Sequence, residues 1–173
     1  TGFQGVDKIY IADGHHRCAS AVKVCLKRRQ LEEKYNVDAE YNYFLSVLFP
    51  KSELEILDYN RVIRDLSGMT EEEFLEKLRD NFEIEEKKTA YSPVNKGEFG
   101  MYLKDKWYAL KFKHMEQVEH SLIDKLDVSI LQNYCFDPIL GIKDPRTNFR
   151  IDFSGGIRGL QELERRVHTD CKA

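Results

Sequence analysis

The chain has 173 residues, 42% hydrophobic and 33% charged, with a formal net charge of −3. That is enough apolar content to build a core, no run approaches the length of a membrane span, and the near-neutral balance argues against a broad nucleic-acid-binding face. The four cysteines (Cys18, Cys25, Cys135 and Cys171) form no Cys-x-x-Cys pair. With no segment of signal-peptide form, they suit reduced thiols and a cytoplasmic protein.

The first element is expected at VDKIYIADG, where Val6, Ile9 and Ile11 alternate as in a strand and Asp13-Gly14 closes it as a turn. A helix follows from about Arg17 to Leu31. Ala19, Val22 and Leu26 share one face, Cys18, Ala21 and Cys25 lie beside it, and Asp13 is the expected N-cap. The aromatic and branched run Tyr41–Pro50 reads as a central, doubly covered strand, and Leu54–Tyr59 as another; in Tyr59-Asn60-Arg61 an Asn-Arg pair at a strand end could contact a ligand, but the stretch reads rather as a turn.

MTEEEFLEKLRDNF carries the strongest helix signal. Thr70 and Glu73 form a capping box, Met69 and Phe74 a hydrophobic staple, and Phe74, Leu75, Leu78 and Phe82 the buried stripe. Residues 88–96 read as a loop. GEFGMYLKDKWYALKFK reads as a β-hairpin turning near Lys104-Asp105-Lys106, packed by Tyr102, Trp107 and Tyr108. A short helix is expected at Asp127–Tyr134, a short strand at Arg150–Phe153, a diglycine turn, and a final helix at Ile157–Val167 with Ile157, Leu160, Leu163 and Val167 on one side. Helices and strands mix without a steady βαβ rhythm, so the expected class is α+β, a mixed sheet with helices packed on it. His114, His120 and His168 are isolated and are given no role.

One stretch concentrates chemistry. In Asp13-Gly14-His15-His16-Arg17 a strand ends in a glycine turn that opens a helix. Such a junction aims unpaired backbone N–H groups and the positive end of the helix dipole at one point, which is an anion site. Arg17 offers a planar fork suited to phosphate oxygens. His15 and His16 can donate hydrogen bonds or carry protons. Gly14 lets the backbone approach closely, and Asp13 can cap the helix, orient a histidine or meet a nucleotide's magnesium ion.

A second stretch has the same form. Gly155-Gly156 precede the expected last helix and Arg158 sits in its first turn, preceded by Asp144-Pro145-Arg146-Thr147. It reads either as a second anion cradle or as a tight turn with a solvent-facing arginine. No G-x-x-x-x-G-K-[ST] signature is present.

Taken together, YIADGHHR, FLSVLFP, LEILDYNRVIRDL, GEFGMYLKDKWYAL, LDVSILQNYCFDPILGI, DPRT and IDFSGGIRGLQEL resemble, in order, a family of uncharacterised bacterial and archaeal proteins catalogued as a domain of unknown function. The resemblance covers almost the whole chain. It implies a longer parent protein of which this single domain, residues 1–173, is the middle, in keeping with a first residue that is Thr1 rather than Met. The Gly-His-His-Arg stretch also resembles the phosphate-binding motif of the ParB and sulfiredoxin superfamily, whose free-serine kinases carry a very similar Asp-Gly-His-His-Arg. This implies a ParB/sulfiredoxin-like core within residues 1–66 and a family-specific α+β part in residues 67–173. It further implies that Gly14, His15, His16 and Arg17 hold the phosphates of ATP or ADP with Mg2+, and that Asp13, His15 and His16 lie near the transferred group. In those kinases a catalytic glutamate lies well upstream of the motif, in a region this sequence lacks. The family often has an aromatic residue where this chain has Cys18, so a sulfiredoxin-type cysteine mechanism is not implied.

The expected function is therefore a nucleotide-dependent phosphotransferase acting on a small metabolite, with serine as the leading acceptor, and with no nucleic-acid or membrane partner. The alternatives are a nucleotide-binding regulatory module without turnover and a metal-dependent hydrolase using Asp13, His15 and His16. The last has little support from spacing, since adjacent histidines diverge and no further ligand pair lies nearby.

Overall fold

A computed structural model of the chain describes residues 2–118 and 122–173, so His120 lies outside the described residues. The class is α+β, and the chain divides into two compact units, residues 1–55 and 56–173.

The first unit is built on one long helix, α1 (His15–Leu31). The chain enters it through a 3-10 turn at Gly2–Gly5 and an extended stretch. It leaves through a turn in which Asn36 Oδ1 accepts the Asp38 N–H at 3.0 Å and through a 3-10 turn at Glu40–Asn42. Asn42 is the pin of this unit. Its Oδ1 accepts Arg29 Nε at 2.9 Å and the Cys25 thiol at 3.5 Å, while its Nδ2 donates to the carbonyls of Asn36 (2.8 Å) and Val37 (3.2 Å). The half-buried face of α1 is accordingly Cys18, Ala21 and Cys25, and the expected stripe of Ala19, Val22 and Leu26 is exposed.

The two strands expected in this unit do not form. Residues 6–12 and 43–50 carry no regular element and form no strand ladder among the described residues. Leu45, for example, is 93% exposed. Strand propensity describes fit to a pleated, covered surface, and a run of branched and aromatic residues does not by itself supply the neighbour whose backbone completes a ladder.

The second unit holds the core. Strand β1 (Tyr59–Ile63) begins five residues later than the expected strand and absorbs Asn60-Arg61, which is therefore no turn. It pairs antiparallel with β5 (Ile151–Gly155), with Ile63 opposite Ile151. The chain end runs beside β1: the Ile63 N–H donates to the Ala173 carbonyl at 2.6 Å, and the Lys172 N–H to the Ile63 carbonyl at 2.7 Å.

Helix α2 (Glu71–Arg79) starts as its sequence dictates. The Thr70 hydroxyl accepts the Glu73 N–H at 3.2 Å and the Glu73 carboxylate accepts the Thr70 N–H at 2.8 Å. Phe74 and Leu78 are buried on it and Met69 packs against the same core. Phe82 is not the end of that stripe. It opens an unforeseen strand, β2 (Phe82–Lys87), whose Phe82-x-Ile84 alternation turns apolar side chains to one face. Strands β3 (Glu98–Leu103) and β4 (Lys106–Phe112) form the expected hairpin. Lys104 (φ 45°) and Asp105 (φ 63°) both sit in the left-handed region, as a two-residue type I′ turn requires. The sheet order is β2-β4-β3, all antiparallel, so the described strands form two small antiparallel sheets rather than one mixed sheet. The loop before β3 presses close: a Cβ on Gly100 would lie 2.3 Å from the Tyr91 carbonyl oxygen, which only glycine avoids.

Helix α3 (Asp127–Leu131) is shorter than expected and continues as a π-helical segment, Gln132–Phe136. The last helix is delayed. After β5 comes a 3-10 turn, Gly156–Arg158, then Gly159 at φ 70°, and only then α4 (Gln161–Thr169). Ile157 falls outside α4 and is 85% exposed. Val62, Leu78, Phe82, Leu103, Ile130, Leu140 and Ile142 are fully buried. Two arginine networks tie loops to this core. Arg150 forks onto Asp65 (2.6–2.9 Å) and donates to the Ser67 hydroxyl and the Leu140 carbonyl. Arg166, only 9% exposed, spans Asp152 and Asp170, each at 2.8 Å. Among the described residues no helix is long and apolar enough to cross a membrane.

Candidate functional site

The junction at the start of α1 is set by one backbone choice. Gly14 adopts φ 76°, ψ 27°, a left-handed conformation that turns the extended chain into the helix and costs a residue with a Cβ appreciable strain. Gly14, not Asp13, is thus the N-cap, and among the described residues no side chain caps the first turn. The Gly14 carbonyl accepts the Cys18 N–H at 2.9 Å, the first bond of the helix. The N–H groups of His15, His16 and Arg17 precede that bond and belong to the set a helix cannot satisfy internally.

The first turn contains no acidic residue, while Arg28 and Arg29 in the last turn complement the other pole. The Arg17 guanidinium folds back over the turn, so a Cβ on Gly14 would lie 3.2 Å from its Nη2 and 3.3 Å from its Nε. The Asp13 carboxylate lies near it, with its Oδ2 3.7 Å from Arg17 Nη2. Both side chains are open to water, at 96% and 85% exposure, so the pair adds little stability. His15 and His16 are exposed on the same turn. Asp13, Gly14 and Arg17 are therefore gathered at one point, with both histidines on the turn. Among the described residues no three His, Cys, Asp or Glu side chains stand close enough to hold a metal ion.

The second expected cradle lies in the other unit and its donors are engaged. Gly155 is the last residue of β5, opposite Tyr59. The Gly156 N–H donates to the Asp58 carbonyl at 2.6 Å. Arg158 Nη1 donates to Glu162 Oε1 at 3.3 Å, two residues before it Gly156 begins a 3-10 turn rather than a helix, and Arg146 forks onto Asp144 at 3.0 and 3.1 Å.

Sequence reasoning missed a cavity of about 270 Å³ inside the second unit, bounded by β1, β3, α3, α4 and the loop around Tyr91. Its walls include Phe74, Leu78, Leu110, Phe136 and Leu163, and Arg61 reaches it from β1. No period-2 alternation marks Asn60-Arg61-Val62-Ile63, so nothing in the sequence set Arg61 on a strand. Nothing local could reveal the cavity, because its walls lie up to about a hundred positions apart in the chain.

A family model described as a protein of unknown function, DUF1015, matches residues 1–129. The match includes the Asp13–Arg17 turn and Arg61 but not Gly155, Gly156 or Arg158. No curated protein and no solved structure matches the chain. With about three-quarters of its length under that match, the chain belongs to the DUF1015 family of proteins of unknown function.

Proposed function

We propose that Gly14–Arg17 hold the phosphates of a nucleotide, ATP or ADP with its Mg2+, and that the chain is the nucleotide-binding part of a phosphotransferase acting on a small hydroxylated metabolite, with free serine the leading acceptor. One observation supports this reading above the others: the first turn of α1 has no side-chain cap and no acidic residue, and the Arg17 fork lies over Gly14 beside it. Backbone N–H groups, a helix dipole and a planar guanidinium converging on one exposed point suit a tetrahedral oxyanion. Phosphoryl transfer asks mainly for such positioning and charge neutralisation. In the proposed reaction the acceptor hydroxyl oxygen bonds to the γ-phosphorus, the bond to the β,γ-bridging oxygen breaks, ADP leaves, and a carboxylate takes the hydroxyl proton. Asp13 is the carboxylate of the turn, and His15 and His16 are placed to stabilise developing charge. The Mg2+ arrives with the nucleotide and needs few protein ligands.

The test is calorimetric titration of the protein with ATP, ADP and CTP in the presence of Mg2+, beside Arg17→Ala. Binding that weakens about tenfold or more in the variant supports the cradle. ADP release on adding serine or another hydroxylated acceptor then supports turnover, whereas nucleotide binding without release by any acceptor supports a regulatory module instead. Absence of binding by every nucleotide overturns both.

A further inference from the structure

The cavity of the second unit has an uneven lining. Its walls are apolar side chains from α2, β4, the π-helical segment and α4: Phe74, Leu78, Leu110, Phe136 and Leu163. Among the described residues that line it, Arg61 is the sole basic one. That guanidinium is half-buried, yet it forms no ion pair with any described carboxylate. Its Nη1 donates to the Tyr59 carbonyl at 2.7 Å, and its Cζ lies 5.7 Å from the centroid of the Phe153 ring, which itself stacks on Tyr59 at 5.1 Å and 8°. The remaining donors of the fork have no partner among the described residues. Burial pushes the Arg61 pKa down from its ordinary value. The acidic residues of the same lining do not answer this cost. Glu98 is taken up by the Tyr91 hydroxyl (3.3 Å) and the Asn95 amide (3.1 Å), Asp127 accepts the Gly97 N–H at 2.9 Å, and Asp58 makes no ion pair with Arg61.

Other arginines of this unit that are half-buried or more look different. Arg150 and Arg166 are each spanned by carboxylates and backbone acceptors and so are fully explained as structural. A partly desolvated cation is costly unless something pairs with it, and a planar fork beside an apolar hollow matches a planar anion with an apolar body. The size is at the small end of ligand sites, which run from about 300 to 1,000 Å³. A phosphate dianion fits poorly, because one cation faces a lining that also holds Asp58, Glu98 and Asp127.

We propose that this cavity is a second ligand site, distinct in place and chemistry from the Gly14–Arg17 turn, that takes a small apolar carboxylate: Arg61 receives the carboxylate oxygens and the apolar body enters among Phe74, Leu110, Phe136 and Leu163. The site stands independently of the nucleotide proposal.

Trp107, the chain's one tryptophan, lines the cavity and supplies the readout. The full chain is titrated at pH 7 with 4-methylpentanoate and with 4-methylpentanamide, which has the same body without the charge, while Trp107 fluorescence is followed. The acid is expected to saturate the signal at about a tenfold or more lower concentration than the amide, the scale of one charge-assisted hydrogen-bonded contact. Arg61→Gln, checked for folding by circular dichroism, is expected to abolish that preference, and Leu163→Phe, which fills the hollow, to weaken both ligands. Equal midpoints for acid and amide in the unsubstituted protein overturn the proposal without recourse to any variant. So does a signal that neither ligand saturates, or a preference that survives in folded Arg61→Gln.

Discussion

Replacing Gly14 separates the two jobs that this residue does. Alanine at φ 76° places its Cβ against the following carbonyl, at a cost of about 1–2 kcal/mol. The new Cβ also meets Arg17 at 3.2–3.5 Å, but that side chain is flexible and 85% exposed, so it can swing outward cheaply. The stability cost therefore comes from the backbone, and the displaced guanidinium affects binding. Gly14→Asn divides these effects, since asparagine tolerates the left-handed region while its Cβ displaces Arg17 just as alanine's does. Hydrogen exchange of the α1 amides is the assay for the first effect: about 1–2 kcal/mol corresponds to exchange faster by roughly 5- to 30-fold in Gly14→Ala, with a clearly smaller change in Gly14→Asn. ATP titration is the assay for the second, and both variants should lose affinity. Wild-type exchange rates in Gly14→Ala, or wild-type ATP affinity in both variants, would refute the reasoning.

Other consequences are as direct. Arg166→Met keeps the aliphatic stem but leaves Asp152 with the Phe153 N–H, at 2.8 Å, and Arg64, at 3.8 Å, and Asp170 with no guanidinium. Because both carboxylates are more than two-fifths exposed, the loss should be about 2–3 kcal/mol, below that of a fully buried pair, seen as a melting temperature lower by roughly 10 °C. Hydrogen bonds from Arg166 hold the Asp170 carboxyl at about 2, and those from Arg165 hold Glu162 at about 2. Both folded values lie below the unfolded ones, so the unfolded chain binds more protons between them. Their stabilisation is thus complete above the usual carboxylate range and lost as pH falls toward about 2. Urea midpoints should fall steeply below pH 4, and less steeply in Asp170→Asn. Burial pushes the Cys135 thiol up to about 12 and raises Cys171 as well, whereas Cys18 and Cys25 are half-buried. A thiol reagent at pH 8 should modify Cys18 and Cys25 in the native protein and reach Cys135 and Cys171 only after denaturant is added.

What was legible in the sequence was what is decided within a few residues. The Thr70–Glu73 box and the Lys104-Asp105 turn each depend on contacts one turn away, and each stands where the residues put it. Strands depend on distant partners. Residues 43–50 have strand composition and no ladder, while Phe82–Lys87, two-thirds of it charged, becomes a strand because β4 lies beside it. Phe82 also misled because it fits the helical spacing of Phe74 and Leu78, although α2 ends at Arg79. Gly159 at φ 70° delayed the last helix past Ile157, an effect that spacing of apolar residues does not report. At the candidate site the motif gave the residues but misplaced the cap. Asp13 was a natural N-cap by residue type, yet its carboxylate approaches Arg17 and leaves the first-turn N–H groups uncapped. The place of Arg61 beside the hollow needed three dimensions, since residues far apart in the chain line it.

The most direct test of the phosphate cradle is to follow the backbone amides of the 15N-labelled chain as Mg2+–ATP is added. The account predicts that the His15, His16 and Arg17 amides shift together and saturate at one common dissociation constant, and that adenosine leaves them in place. ATP-induced shifts that saturate elsewhere in the chain while these three amides stay fixed would contradict it.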